Sequence, residues 1–293
     1  MTLPAGARRV REAFARAALE NRRALITYLM AGYPDPGTAI DASAAALEAG
    51  SDLLEIGVPF SDPVADGPVI AAAGHAAVAA GAGVDAAVGA VRALRERGHG
   101  QPILAMGYLN PIVARGRERT LRELREAGVD ALIVPDLPAG EDRGLERLVA
   151  DAGLGICFLV TPNSSSARLE AAVRGSTAFL YVVPLYGVTG ARERVAETTV
   201  PLLERIRNTV DGRLPVAVGF GVSSPEHVRE LTPIVDGIIV GSAIVAALND
   251  GGASRVRTFV AGLAAATARA AVLELLETTA VTPPQTSASS PRR

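Results

Sequence analysis

Along this chain, short runs of apolar, often β-branched residues alternate with longer stretches in which alanine and leucine recur at helical spacing among arginine and glutamate. Eight such runs occur, at residues 25–29, 53–58, 103–106, 131–134, 155–160, 178–183, 216–218 and 237–240. Runs that are apolar throughout belong to strands covered on both faces, the situation of a parallel sheet wrapped by helices. Eight strand–helix units predict a closed (β/α)8 TIM barrel, with an open doubly wound sheet as the alternative topology. Ahead of the first run, residues 8–21 set Val10, Phe14, Ala17 and Ala18 at helical spacing between arginines. This pattern predicts an additional N-terminal amphipathic helix that caps a core.

Three segments, EAGSDLLEI, EAGVDALIV and DAGLGICFL, place a glycine between a helical pattern and the next strand, where a left-handed C-cap is expected. Residues 71–82 are rich in alanine and read as helix, not linker. From residue 277 the chain reads ETTAVTPPQTSASSPRR, with little that could fill a core. The expected organisation is therefore one barrel domain over 1–276 and a disordered tail over 277–293.

Composition narrows the chemistry. The 293 residues are enough for one large core, and the net charge of -2 gives no electrostatic reason to expect nucleic acid. All 29 basic residues are arginine, so a Schiff base on a lysine amine is excluded. The single cysteine, Cys157, lies within the apolar run GICFLV, which rules out an intrachain disulfide and fits a reducing compartment. No signal-like segment and no membrane-length apolar run is evident, so a soluble, cytoplasmic protein without membrane contact is expected.

The stretch LLEIGVPFSDPVADGP, residues 53–68, is the candidate active-site edge. Its apolar run carries Glu55, and the Gly/Pro-punctuated loop that follows carries Asp62 and Asp66. In a barrel, functional groups come from the C-terminal ends of strands and the loops after them. Asp beside Pro or Gly is also ordinary turn chemistry, so Asp62 and Asp66 admit that simpler reading. A carboxylate inside LLEIGV must face either the barrel mouth or apolar packing that penalises its charge. A Glu in apolar surroundings has a raised pKa and can shuttle a proton, while a loop carboxylate stays ionised, a pair suited to acid/base chemistry. No metal is expected, because His75, His99 and His227 occur singly and without ligand spacing.

Glycine-bearing turns follow the last strands: GVTG at 187–190, GFG at 219–221, and Gly241 with Ser242. Glycines there let backbone N–H groups approach an anion, and a helix start adds its dipole, so this end is the candidate phosphate site. Ser224-Pro225-Glu226 reads as an N-cap, a proline at the first helical position and an acid in the first turn.

The motifs LEIGVPFSDPVADGP, YLMAGYPD, MGYLNP, VPDLP, GVTG, GFGVSSPEHV and VGSAIV, in order over residues 9–265, resemble the tryptophan synthase alpha chain family. That resemblance implies cleavage of indole-3-glycerol phosphate to indole and glyceraldehyde 3-phosphate with neither metal nor imine. It implies that Glu55 protonates the indole ring carbon and assists deprotonation of the glycerol hydroxyl, and that Asp66 stabilises the ring N–H. It assigns Tyr108 and Phe220 to the substrate pocket, Thr189 to the catalytic loop, and Gly190, Gly221, Gly241 and Ser242 to the phosphate. It also implies a β-chain partner that holds pyridoxal phosphate, with no cofactor in this chain, as a hetero-tetramer of two alpha and two beta chains. Pro59, Asp62, Pro63 and Pro138 match loops facing that partner.

The sequence departs from the family pattern at Met30 (usually threonine), Leu109 (commonly tyrosine), Ala139-Gly140 (usually acidic) and Pro184-Leu185-Tyr186. These departures keep three other readings open: a stand-alone lyase releasing free indole, a barrel serving chiefly to activate a β chain, and an unrelated phosphosugar isomerase.

Overall fold

The computed structural model describes residues 2–183, 195–219 and 221–269. The expectations for Thr189, Gly190, Phe220, the segment Pro184-Leu185-Tyr186 and the tail over 277–293 lie outside the described residues.

The chain enters through α1 (Ala5–Leu19) and continues as β1 (Ala24–Met30), α2 (Pro36–Glu48), β2 (Leu53–Gly57), α3 (Pro68–Ala79) and α4 (Val84–Glu96). Next come β3 (Ile103–Met106), α5 (Leu109–Arg115), α6 (Arg117–Ala127), β4 (Ala131–Ile133) and α7 (Arg143–Asp151). The second half contains β5 (Gly155–Cys157), β6 (Leu159–Val160), α8 (Ser166–Gly175), β7 (Leu180–Val182) and α9 (Val195–Val210). It ends with β8 (Val216–Gly219), α10 (Pro225–Leu231), β9 (Gly237–Val240) and α11 (Ser242–Ala266).

The strands pair in parallel as one nine-stranded sheet in the order β5-β4-β3-β2-β1-β9-β8-β7-β6. Eight runs yield nine strands because the run at 155–160 changes partner in its middle. Its first half, β5, pairs with β4, and its second half, β6, pairs with β7. Phe158 sits at the change: its N–H goes to Ser176 Oγ at 3.1 Å and its carbonyl accepts from Tyr181 N at 3.1 Å. The two ends of the ladder thus meet at one residue, and the barrel closes.

Alternation along each strand sorts the core into two layers. Leu25, Leu29, Leu54, Ile56, Val216, Val218, Ile238 and Val240 face outward and are buried under the helices. Ile26, Leu53, Leu104, Ala131, Cys157, Phe179, Ala217 and Ile239 form the interior together with α1. Helix α1 plugs the N-terminal end of the barrel through Val10, Ala13, Phe14 and Ala17, with the Phe14 and Phe179 rings 5.5 Å apart. Ala18, expected on the buried face, is exposed, and Ala13 takes its place. With 3.6 residues per turn, Ala13 falls with Val10 and Ala17 while Ala18 has rotated toward solvent.

The turn chemistry follows expectation. Gly50, Gly128 and Gly153 have φ of 110°, 104° and 75° between helix and strand. Ser224 caps α10 by accepting from His227 N, with Pro225 at the first helical position. No single helix among the described residues is long and apolar enough to cross a membrane.

Candidate active site

A cavity of about 440 Å³ opens at the C-terminal end of the barrel, with Glu55, Asp66, Tyr28, Tyr181, Gly241 and Ser242 in its wall. Three elements build it: the inward face of the strands, the loop at 58–67 between β2 and α3, and the turns after β8 and β9.

Glu55 is the middle residue of β2, in register with Tyr28 on β1 and Leu104 on β3. Strand alternation sends Leu54 and Ile56 to the outer layer and Glu55 inward. The residue is fully buried, and neither carboxylate oxygen has a hydrogen-bond partner among the described residues. Burial in these apolar surroundings pushes its pKa from 4.5 up to about 8.

Two glycines make room for two tyrosines beside it. A Cβ on Gly57 would lie 2.0 Å from the Tyr28 hydroxyl, and a Cβ on Gly219 would lie 2.5 Å from the Tyr181 hydroxyl. Both phenol rings therefore lean over a missing side chain and into the cavity. Burial, then the nearby carboxylates, raise the pKa of each phenol well above its usual value, so both remain neutral donors. The Tyr28 hydroxyl lies 3.8 Å from Met30 Sδ, so the methionine at that departure from the family pattern packs against a pocket tyrosine.

Asp66 is half-buried in the loop at 58–67. Burial raises its pKa, and the Tyr108 hydroxyl, which stabilises the charged form, opposes that. Tyr108 also accepts the Ala65 N–H at 3.0 Å and packs its ring 5.3 Å from that of Phe60. It is nearly fully buried behind this loop and does not line the cavity. His75 ties the same loop to α3 through Ser61 O at 3.0 Å.

The opposite wall is short of side chains and rich in backbone. Gly221, Val222 and Ser223 precede α10, and Gly241 precedes Ser242, the first residue of the 25-residue α11. Free N–H groups at that helix start, its dipole and two hydroxyls make a cradle for an anion without any cationic side chain. Gly67 adjoins Ser242, so the loop of Asp66 meets this cradle directly.

The structure brings Glu55, Asp66, Gly221, Gly241 and Ser242 into one cavity wall. Among the partner-facing candidates, Asp62 and Pro138 are exposed, Pro63 is half-buried, and Pro59 is buried beneath its loop. Pro138 lines a second cavity of about 330 Å³ that shares Ala65, Met106 and Tyr181 with the first. Sequence reading missed Tyr28, Tyr181, Met106, Ile239 and Ser223. The two tyrosines had a signal, since each occupies an inward position of an apolar strand. Ser223 is placed by His227, whose Nδ1 accepts its N–H at 3.4 Å. No group of three or more potential metal ligands exists among the described residues.

Comparison with known proteins places these features in context. The family model described as tryptophan synthase alpha chain matches residues 14–273. The tryptophan synthase alpha chain of Roseiflexus castenholzii is 41% identical over 237 residues, spanning 81% of this chain and 90% of the relative. That of Geobacter sp. strain M21 is 42% identical over 237 residues, spanning 81% of this chain and 88% of the relative. A tryptophan synthase structure from Mycobacterium tuberculosis superposes with a TM-score of 0.82 at 38% identity, covering 89% of this chain and 99% of that one. The tryptophan synthase subunit alpha of Legionella pneumophila gives a TM-score of 0.80 at 28% identity, covering 88% and 98%.

Proposed function

The chain belongs to the tryptophan synthase alpha chain family, and from that premise we propose that it cleaves indole-3-glycerol phosphate to indole and glyceraldehyde 3-phosphate. Its role is that of the alpha subunit in tryptophan biosynthesis. The observation that carries the proposed chemistry is Glu55, a fully buried carboxyl with no partner for either oxygen, in one cavity wall with Asp66.

With a pKa of about 8, Glu55 is about nine-tenths protonated at pH 7. It gives its proton to the indole ring carbon that bears the glycerol chain, and the ring nitrogen becomes positive. Asp66 accepts the ring N–H as that charge develops. The glycerol hydroxyl next to the ring then loses its proton to the Glu55 carboxylate, the carbon–carbon bond breaks, and its electron pair returns to the ring nitrogen. Indole and the aldehyde result, and Glu55 ends protonated, ready for another cycle. Positioned acid/base groups of this kind contribute roughly 10²- to 10⁴-fold in rate. The Gly221–Ser223 turn, Gly241 and Ser242 hold the phosphate across the barrel mouth from Glu55, which fixes the scissile bond over the carboxyl. Gly190, Thr189 and Phe220 are proposed to complete the phosphate cradle, the catalytic loop and the indole pocket.

The partner is a tryptophan synthase β chain. We assign the tetramer of two alpha and two beta chains, the cytoplasmic setting, and pyridoxal phosphate in the partner to the same proposal; with no lysine, this chain has no amine to hold that cofactor as an imine. Asp62, Pro63 and Pro138 on the loops after β2 and β4 are the proposed contacts, with Pro59 supporting the first loop from beneath. The test is indole release from indole-3-glycerol phosphate by the purified chain, alone and with a β chain and serine. Slow release that rises strongly with the β chain is expected. Absence of release in both settings overturns the proposal, and fast release indifferent to the β chain overturns the coupling.

A further inference from the structure

The loop bearing Asp66 is tied to the next strand's loop by one side-chain contact, the Ala65 N–H donated to the Tyr108 hydroxyl at 3.0 Å. Tyr108 immediately precedes α5, where helices usually carry a Ser, Thr, Asp or Asn whose side chain accepts a free N–H. Its own side chain makes no such cap, because it is turned toward the Asp66 loop. The N–H of Leu109, the first residue of α5, is instead met from outside the helix. Asp136, in the loop after β4, accepts it at 2.9 Å and 3.3 Å through its two carboxylate oxygens. Asp136 thus supplies the cap that Tyr108 gives up, and the backbone of Tyr108 is pinned from the β4 side while its ring and hydroxyl support the β2 loop.

We propose that Asp136 is a positioning residue for Asp66, acting through Leu109 N and Tyr108. The proposal rests on the catalytic reading of Asp66 given above. Asp136 is exposed and two residues from Pro138, on the loop assigned to the partner, so the same linkage gives a docking β chain a mechanical route to the catalytic carboxylate.

The experiment uses the full chain and two readouts. Amide exchange at Ala65 reports the loop without any substrate, and indole release with the β chain and serine reports catalysis. In Asp136→Ala, Ala65 exchange should quicken about tenfold as its acceptor loosens, and kcat should fall about tenfold with KM within about twofold, because Asp66 acts on charge that develops in the transition state. Asp136→Asn keeps an acceptor oxygen and should restore both. Leu109→Pro cuts the same bond without touching Asp136, and Tyr108, at φ -87° and ψ 159°, already has a backbone compatible with a following proline. It should reproduce the Asp136→Ala behaviour. Adding Asp136→Ala to Tyr108→Phe should cost little more than Tyr108→Phe alone, since the two act in series. Unchanged Ala65 exchange in both Asp136→Ala and Leu109→Pro, or an Asn variant as impaired as the Ala variant, overturns the proposal. A wild-type chain that releases no indole refutes the functional reading separately, and the exchange readout still judges the linkage.

Discussion

Replacing Glu55 by glutamine should change how the stability of this fold depends on pH. In the folded protein the carboxyl has a pKa of about 8, against 4.5 for the free group, because it is fully buried with no partner for its charge. Between those two values the native state keeps a proton that the unfolded chain has released. Stability from this group is therefore fully present below about pH 4.5 and is lost as the pH rises through 8. Each pH unit in that window costs about 1.4 kcal/mol, so the loss reaches up to about 5 kcal/mol, comparable with the whole stability of many domains. Glutamine has nearly the same shape and no charge to lose. Asp66 and Asp130 also have raised pKa values and add slopes of the same sign, but both remain in the variant and cancel in the comparison. Urea unfolding followed by circular dichroism at pH 5, 6, 7, 8 and 9 gives the measurement. The two proteins should be nearly equal at pH 5, and the Gln variant should be the more stable by several kcal/mol at pH 9. A difference that stays constant from pH 5 to pH 9 would falsify the claim that Glu55 is held neutral by its surroundings, and with it the proton donor of the proposed reaction.

The other expectations concern the same cavity and the plug beneath it. Asp66→Asn should lower kcat by about 10²-fold with little change in substrate affinity; equal losses in both, measured by steady-state indole release, would contradict a transition-state role. Ser242→Ala should raise KM for the phosphate substrate several-fold at nearly constant kcat, and a phosphate-free analogue should not distinguish the variant from wild type. Gly57→Ala places a methyl group 2.0 Å from the Tyr28 hydroxyl and should destabilise the fold by about 1–3 kcal/mol, with Tyr28→Leu restoring part of the loss. Phe14→Ala empties the plug facing Phe179 and should cost about 3–5 kcal/mol in denaturant unfolding; a loss under 1 kcal/mol would mean α1 is not part of the barrel core.

Pattern alone determined a good deal of this protein. Continuous apolar runs separated by helical stretches gave the strands and the barrel, because a strand covered on both faces needs apolar side chains on both. Gly50, Gly128 and Gly153, and the Ser224-Pro225 helix start, were legible because capping is a contest among neighbouring backbone groups and local residues decide it. Glu55 announced itself for the same reason, as a charge inside an apolar run. Family resemblance pointed to Asp66 and the glycine turns, which no local rule separates from ordinary turns.

Tertiary structure decided the rest. The run at 155–160 became two strands because ring closure makes Phe158 change partners, and no local feature marks that residue. Tyr28 and Tyr181 could be assigned to inward faces from alternation, yet their meeting with Gly57 and Gly219 depends on the register of β1 with β2 and of β7 with β8. Tyr108 read as a wall of the pocket and instead supports the Asp66 loop from behind, capped by an aspartate 27 residues further along. Periodicity states which way a side chain points from its own backbone; what it meets there, and hence its pKa and its chemistry, is fixed only when strands distant in sequence close into one ring.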